Sequence, residues 1–159
     1  MDSLLSVIVG GALALAGGFL TKLWECRREQ RALAFALAGE IGAIIDVAER
    51  RKYLPHIRET IAKVEAGEKP RRVRIRAEQN YFVVYEANAE KVGLLPRQIA
   101  RDVARFYTLM KAILEDVTDK QWEPSTSEDA LRHLHSLAEL ADTMLKLGNQ
   151  VVVQLERIR

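Results

Sequence analysis

Residues 9–18 read VGGALALAGG, and they lie inside a longer run, Ser3 to Thr21, that holds no charged side chain. From Leu4 to Leu23 the positions are almost all apolar or small. Twenty such residues make about 30 Å of helix, which matches the hydrocarbon thickness of a bilayer. A phosphate-cradling loop is the first alternative, but it needs G-x-G-x-x-G, or a preceding strand and a Lys-Ser/Thr pair after the last glycine; neither is present. A cleavable export signal is the second. It carries its positive charge before the apolar run, whereas here Asp2 precedes the run and Lys22, Arg27, Arg28 and Arg31 follow it. Leu23, Trp24 and Glu25 also lack the small residues that a lipoprotein cleavage site before Cys26 demands. The third alternative is a buried core helix. The reading adopted is a transmembrane anchor over residues 1–23 with a cytoplasmic domain over 24–159. By the positive-inside rule the N-terminus then lies outside a bacterial inner membrane, with Trp24 at headgroup level.

Within the anchor, Gly10, Ala14 and Gly18 recur every four residues and fall on one stripe of a helix. Side chains this small let two backbones approach closely in lipid, so the stripe predicts self-association into a homo-oligomer.

Helix patterning continues through the rest of the chain. Leu33, Leu37, Ile41, Ile44 and Ala48 step by three and four, with no breaker before Tyr53, so the anchor is expected to run straight into a bundle and to end at Pro55. A short helix over 56–66 closes at Gly67. Phe82, Tyr85, Ala89 and Val92 fit a further helix that Asn80 caps and Gly93 ends, although residues 73–85 also alternate as a hairpin would. The helix is favoured because the chain offers no sheet for two lone strands to join. Pro96 opens a helix that keeps its rhythm to about residue 118 through Ile99, Val103, Phe106, Met110, Ile113 and Val117. Ser125 with Glu128 has capping-box spacing, followed by a seam of Leu131, Leu134, Ala138, Ala141, Leu145, Gly148, Val152 and Leu155. The expected fold is all-α: an N-terminal transmembrane helix continuing into an antiparallel bundle of three long and one or two short helices. With 48% hydrophobic residues, 29% charged and one cysteine, the 159-residue chain folds by apolar burial rather than by disulfides.

Glycine-rich positions 10–18, the Arg/Glu-rich stretch after them, VYEANAEKVGLLP (84–96) and ARDVARFYTLMKAILED (100–116) together resemble a class of small bacterial single-pass membrane proteins, some of them similar to phage- or mobile-element-encoded proteins. The resemblance spans roughly residues 4–117 and brings no catalytic residues with it.

Chemistry-bearing clusters are sparse. His133 and His135 are two apart, on diverging sides of a helix, and cannot share a metal ion. Surface pairing with Asp129 and Glu139 accounts for them. No Glu-x-x-His occurs, so the di-iron bundle pattern is missing. Glu40, Asp46, Glu49, Glu86 and Glu90 read as solvated or ion-paired, and Cys26 as an inert thiol. No cofactor, metal or nucleophile set is expected, and the chain reads as non-enzymatic. The functional weight falls on EKPRRVRIR (68–76), where Lys69, Arg71, Arg72, Arg74 and Arg76 oppose one acid, Glu68. These cations suit membrane lipid headgroups or, alternatively, nucleic-acid phosphates. The sequence therefore points to a membrane-anchored scaffold or adaptor that self-associates and offers a helical surface to a cytoplasmic protein partner. A tethered nucleic-acid binder and a holin-like membrane oligomer are the alternatives.

Overall fold

The computed structural model describes residues 2–70, 81–118 and 126–158, with side chains described at Gly11 and from Leu15 onward. It is all-helical, with no strand among the described residues. α1 (Asp2–Arg50) is a single helix of 49 residues, about 73 Å long at ~1.5 Å per residue. It is followed by α2 (Tyr53–Glu65), α3 (Val83–Ala87), a 3-10 helix (Ala89–Leu94), α4 (Arg97–Thr118) and α5 (Ser127–Glu156). The expected class and bundle are thus observed. The finer expectation of a transmembrane anchor over residues 1–23 is not carried by the described residues: no helix among them is long and apolar enough to cross a membrane. The side chains of residues 1–10 and 12–14, which include Gly10 and Ala14, lie outside the described residues.

α1 joins the bundle only in its second half. Leu33, Ala34, Leu37, Ala38, Ile41, Ile44, Ile45 and Ala48 are buried, the three-four spacing that turns one face of a helix inward. α5 runs antiparallel to α1 and α4, and it continues along α2 in the same opposed sense. The closest approach is at Gly148. A Cβ there would stand 2.6 Å from Phe106 Cε2 and 2.8 Å from Ile45 Cδ1, so only glycine lets α1, α4 and α5 meet at this level. Phe106, Tyr107, Leu37, Ile41, Ile57, Leu137 and Leu155 fill the core with essentially no exposure, each large aliphatic side chain contributing about 1.5–3 kcal/mol by leaving water.

Several boundaries differ from expectation. α1 ends at Arg50, because Lys52 adopts a left-handed conformation (φ 53°) that turns the chain into α2. Pro55 does not terminate a helix. It occupies the first turn of α2, where its missing N–H has no carbonyl to meet. The stretch expected to form one helix over 82–92 is instead a five-residue α3 and a 3-10 helix, after which Leu95 turns extended and buried. Asn80 and residues 73–80 of the hairpin alternative over 73–85 lie outside the described residues; residues 81–85 form no strand. α5 is capped one residue later than the sequence suggested. Thr126 Oγ1 accepts the Asp129 amide at 3.1 Å, while Ser125 lies outside the described residues. Its buried line is Ala130, Leu134, Leu137, Ala141, Met144, Gly148, Val151 and Leu155, with Leu131, Ala138, Leu145 and Val152 half-buried beside it. The seam is rotated and widened because α5 packs against three helices, where a coiled-coil seam faces one.

Candidate interaction surface

From Leu15 to Glu29 every side chain of α1 is exposed. Leu15 is 78% exposed, Phe19 66%, Leu20 65% and Trp24 64%, a cluster of large apolar groups that a water-facing helix does not ordinarily show. Arg28 then lies over the Trp24 ring at 5.8 Å, and Lys22 pairs with Glu25 at 3.8 Å. Beyond the point where the bundle begins, the outward face of α1 stays free of unengaged charge for three turns. Ala32, Phe35, Ala36, Gly39 and Ala43 are all exposed, and Phe35 is 60% so. Gly18 and Ala36 are eighteen residues apart, five full turns, and so share one azimuth. A Cβ on Gly18 or Gly39 would meet nothing within 4 Å. Gly18, the described member of the expected stripe, therefore lies in phase with a small-residue stretch on the back of the bundle.

The polar centre of the fold lies at the edge of this face, one turn from Ala36. Half-buried Glu40 accepts the backbone amides of Val84 (2.6 Å) and Tyr85 (3.1 Å) and the phenolic hydrogen of Tyr107 (2.6 Å). A carboxylate facing the first amides of α3 meets the partial positive charge of a helix start. Tyr107 stacks on Tyr85 with ring centroids 3.9 Å apart and takes Phe82 and Phe106 edge-on at 5.7 and 5.3 Å. Burial, and then the bond to Glu40, push the Tyr107 hydroxyl far above the usual tyrosine range. Ten residues earlier on α1, Gln30 Nε2 donates to the Leu94 carbonyl at 2.6 Å. Residues 84–94 are thus fastened along α1 at both ends. The sequence reading left Glu40 among solvated acids. The signal that would have found it is a lone carboxylate between Leu37 and Ile41, inside the apolar stripe.

The other carboxylates do not converge. Asp46 and Glu49 are exposed on α1, and Glu86 pairs with Lys111 at 3.6 Å. Asp102, 6% exposed, has both oxygens 3.0 Å from Gln98 Nε2. His135 faces Glu65 on α2 at 3.6 Å rather than a partner on its own helix. Among the described residues no group of three metal-ligating side chains exists. Cys26 is exposed. A cavity of about 50 Å³ opens between α1, α2, α4 and α5, lined by Ile44, Tyr53, Ile57, Met110, Ile113 and Met144 among others, and its walls carry no charged group.

Of the basic run, Lys69 is described and exposed; Arg71, Arg72, Arg74 and Arg76 lie outside the described residues. Its placement is informative. Along α5, Gly148 meets Ile45, Asp142 meets Arg58 (3.4 Å) and His135 meets Glu65, so α2 leads away from the N-terminal half of α1. At ~1.5 Å per residue, Glu65 lies roughly 50 Å from Leu23 along the bundle axis. Comparison with protein-family models, with curated proteins and with solved structures finds no match.

Proposed function

We propose that this protein is a non-enzymatic, membrane-tethered helical scaffold that self-associates along the outward face of α1 and presents the remaining bundle surface to a cytoplasmic partner. The observation that carries the reading is the unpartnered face itself: Ala32, Ala36, Gly39 and Ala43, flanked by exposed Phe35, on the bundle half of α1. Small side chains allow close backbone approach, and in lipid dispersion contacts between such faces drive association. The charge-free sequence from Ser3 to Thr21 and the exposed Leu15, Phe19, Leu20 and Trp24 support the tether, since these groups gain about 25 cal/mol for each Å² withdrawn from water.

The test is oxidative cross-linking of the full chain in its native membrane, after an alkaline wash that strips peripheral proteins. In a Cys26→Ser background, Ala36→Cys yields a disulfide-linked dimer, whereas Arg27→Cys, on the opposite azimuth, does not. Equal yields from both positions would remove the face from the account. Release by the alkaline wash would remove the tether.

A nucleic-acid role for residues 69–76 is the second reading. The exposed Lys69 at the end of the bundle remote from α1's apolar half favours it over lipid contact by this run. Alanine at Arg71, Arg72, Arg74 and Arg76 then flattens the salt dependence of DNA binding; an unchanged slope counts against it.

A further inference from the structure

The fold gathers a set of cations that the sequence scatters over more than a hundred residues. Gln30 bonds to Leu94 O, and ten residues on Glu40 bonds to Tyr107. α1 and α4 therefore run in the same direction, and Arg97, ten residues before Tyr107, is level with Gln30. α5 runs the opposite way. Gly148 packs on both Phe106 and Ile45, so Arg157, nine residues later, lies between the level of Arg97 on α4 and that of Ala36 on α1. Arg31, Arg97 and Arg157 thus share one end of the bundle, with Arg101 a turn further in and Arg27 and Arg28 a turn nearer the apolar half of α1. All six side chains are exposed. Exposed carboxylates in the same zone are Glu25, Glu29, Glu90 and Glu156; Glu25 is engaged by Lys22 and Lys91 adds a further cation. Asp102 is buried against Gln98. Cations outnumber exposed acids here about two to one, in a chain whose totals are 24 and 22.

We propose that this end of the bundle is a second membrane contact, in which Arg31, Arg97, Arg101 and Arg157 hold anionic lipid headgroups of the bilayer that α1 enters. The inference rests on the tether proposed above. Gln30 and Arg97 lie about 10 Å beyond Leu23 along the axis, close to the Debye length of about 8 Å at physiological ionic strength, and Arg157 lies about 10–20 Å beyond it. A membrane helix tilts by about 20° on average. With neighbouring axes 8–10 Å apart, tilting α1 toward α4 and α5 lowers their ends by about 3 Å, into the range where the surface potential acts. Arginine suits the role because its long stem crosses that gap and its guanidinium forks onto phosphate oxygens. Lys69, remote from this end, plays no part in the contact.

The experiment reconstitutes the full chain, with Cys26→Ser, into vesicles of phosphatidylcholine alone or with about a third phosphatidylglycerol. A spin label at Glu156→Cys reports access by a water-soluble nickel relaxant, a label at Lys69→Cys serves as the distal control, and one at Phe19→Cys reports on the tether. Nickel access at 156 is expected to fall roughly twofold or more in the anionic vesicles, to recover at high salt, and to stay high when Arg97, Arg101 and Arg157 are glutamine. Position 69 is expected to be equally exposed in both lipids. Equal access at 156 in the two lipids, with position 19 shielded in both, overturns the headgroup contact and leaves the tether standing. Nickel access at position 19 overturns the tether and the contact with it. Protection of 156 by short duplex DNA, without protection by anionic lipid, reassigns the surface to nucleic acid and overturns the lipid assignment.

Discussion

Tyr107 on α4 donates its phenolic hydrogen to Glu40 Oε1 on α1 at 2.6 Å, and the same carboxylate receives the first amides of α3. One side chain thereby ties three elements together in a half-buried setting. Its consequences can be measured.

Tyr107 should confer an alkaline limb on stability. In the unfolded chain a tyrosine ionises near pH 10, whereas folded Tyr107 keeps its proton because burial and Glu40 raise its pKa. Its stabilising contribution is fully present below pH 10 and is lost as the pH rises beyond it, by about 1.4 kcal/mol per pH unit. Urea titrations at pH 9, 10 and 11 should therefore show a shallower alkaline loss for Tyr107→Phe than for the parent. Parallel losses in the two would contradict the buried hydroxyl.

Glu40→Ala leaves the Val84 and Tyr85 amides and the Tyr107 hydroxyl without their acceptor. Unsatisfied buried donors cost about 1–3 kcal/mol, so a loss of about 3 kcal/mol is expected by chemical denaturation, together with faster amide exchange over residues 83–87. Glu40→Gln retains one acceptor oxygen and should lose about half as much. An Ala variant as stable as the parent would show that the clasp is incidental.

Gly148→Ala forces a methyl against Phe106 and Ile45. Overpacking of this kind costs typically about 1–3 kcal/mol. Combining it with Ile45→Ala should recover part of that loss, so that the double mutant is more stable than the two single losses summed. Additive losses would place the contact elsewhere.

Lys52 holds a left-handed conformation, φ 53°, without a glycine's freedom. Such a residue carries about 1 kcal/mol of backbone strain, so Lys52→Gly should be neutral or stabilising by up to about 1 kcal/mol. Lys52→Val, β-branched at the same site, should be clearly destabilised. The reverse order by thermal melting would argue against the α1–α2 junction described.

Removing the α5 cap by Thr126→Ala should cost about 1 kcal/mol, since the Asp129 amide loses its acceptor. Fraying confined to the first turn of α5 in amide exchange would accompany the loss. Thr126→Ser should restore both, because its hydroxyl can accept the Asp129 amide and donate to the Asp129 carboxylate as Thr126 does.

How far the sequence alone reaches follows from what kind of information each feature carries. Helix class and the inward faces of α1, α4 and α5 are local matters, set by apolar periodicity, whereas the end of α1 at Arg50 rather than at Pro55 is set by the left-handed turn at Lys52. Leu37, Ile41, Val103, Phe106, Leu134 and Ala141 were all on the inward faces that their spacing predicted. Three other features could not be read this way. The widened seam of α5 arises because three helices converge on it, and no single-helix pattern contains the number of its neighbours. Glu40 is satisfied by amides 44 and 45 residues away; its position between Leu37 and Ile41 marks it as unusual, but the chain around it does not contain its partners. The alignment of Arg31, Arg97 and Arg157 at one end depends on the directions of α1, α4 and α5, and those directions are decided by packing at Gly148 and by the Glu40 and Gln30 bonds. Periodicity tells a helix which face to bury; only contact between helices decides which ends meet.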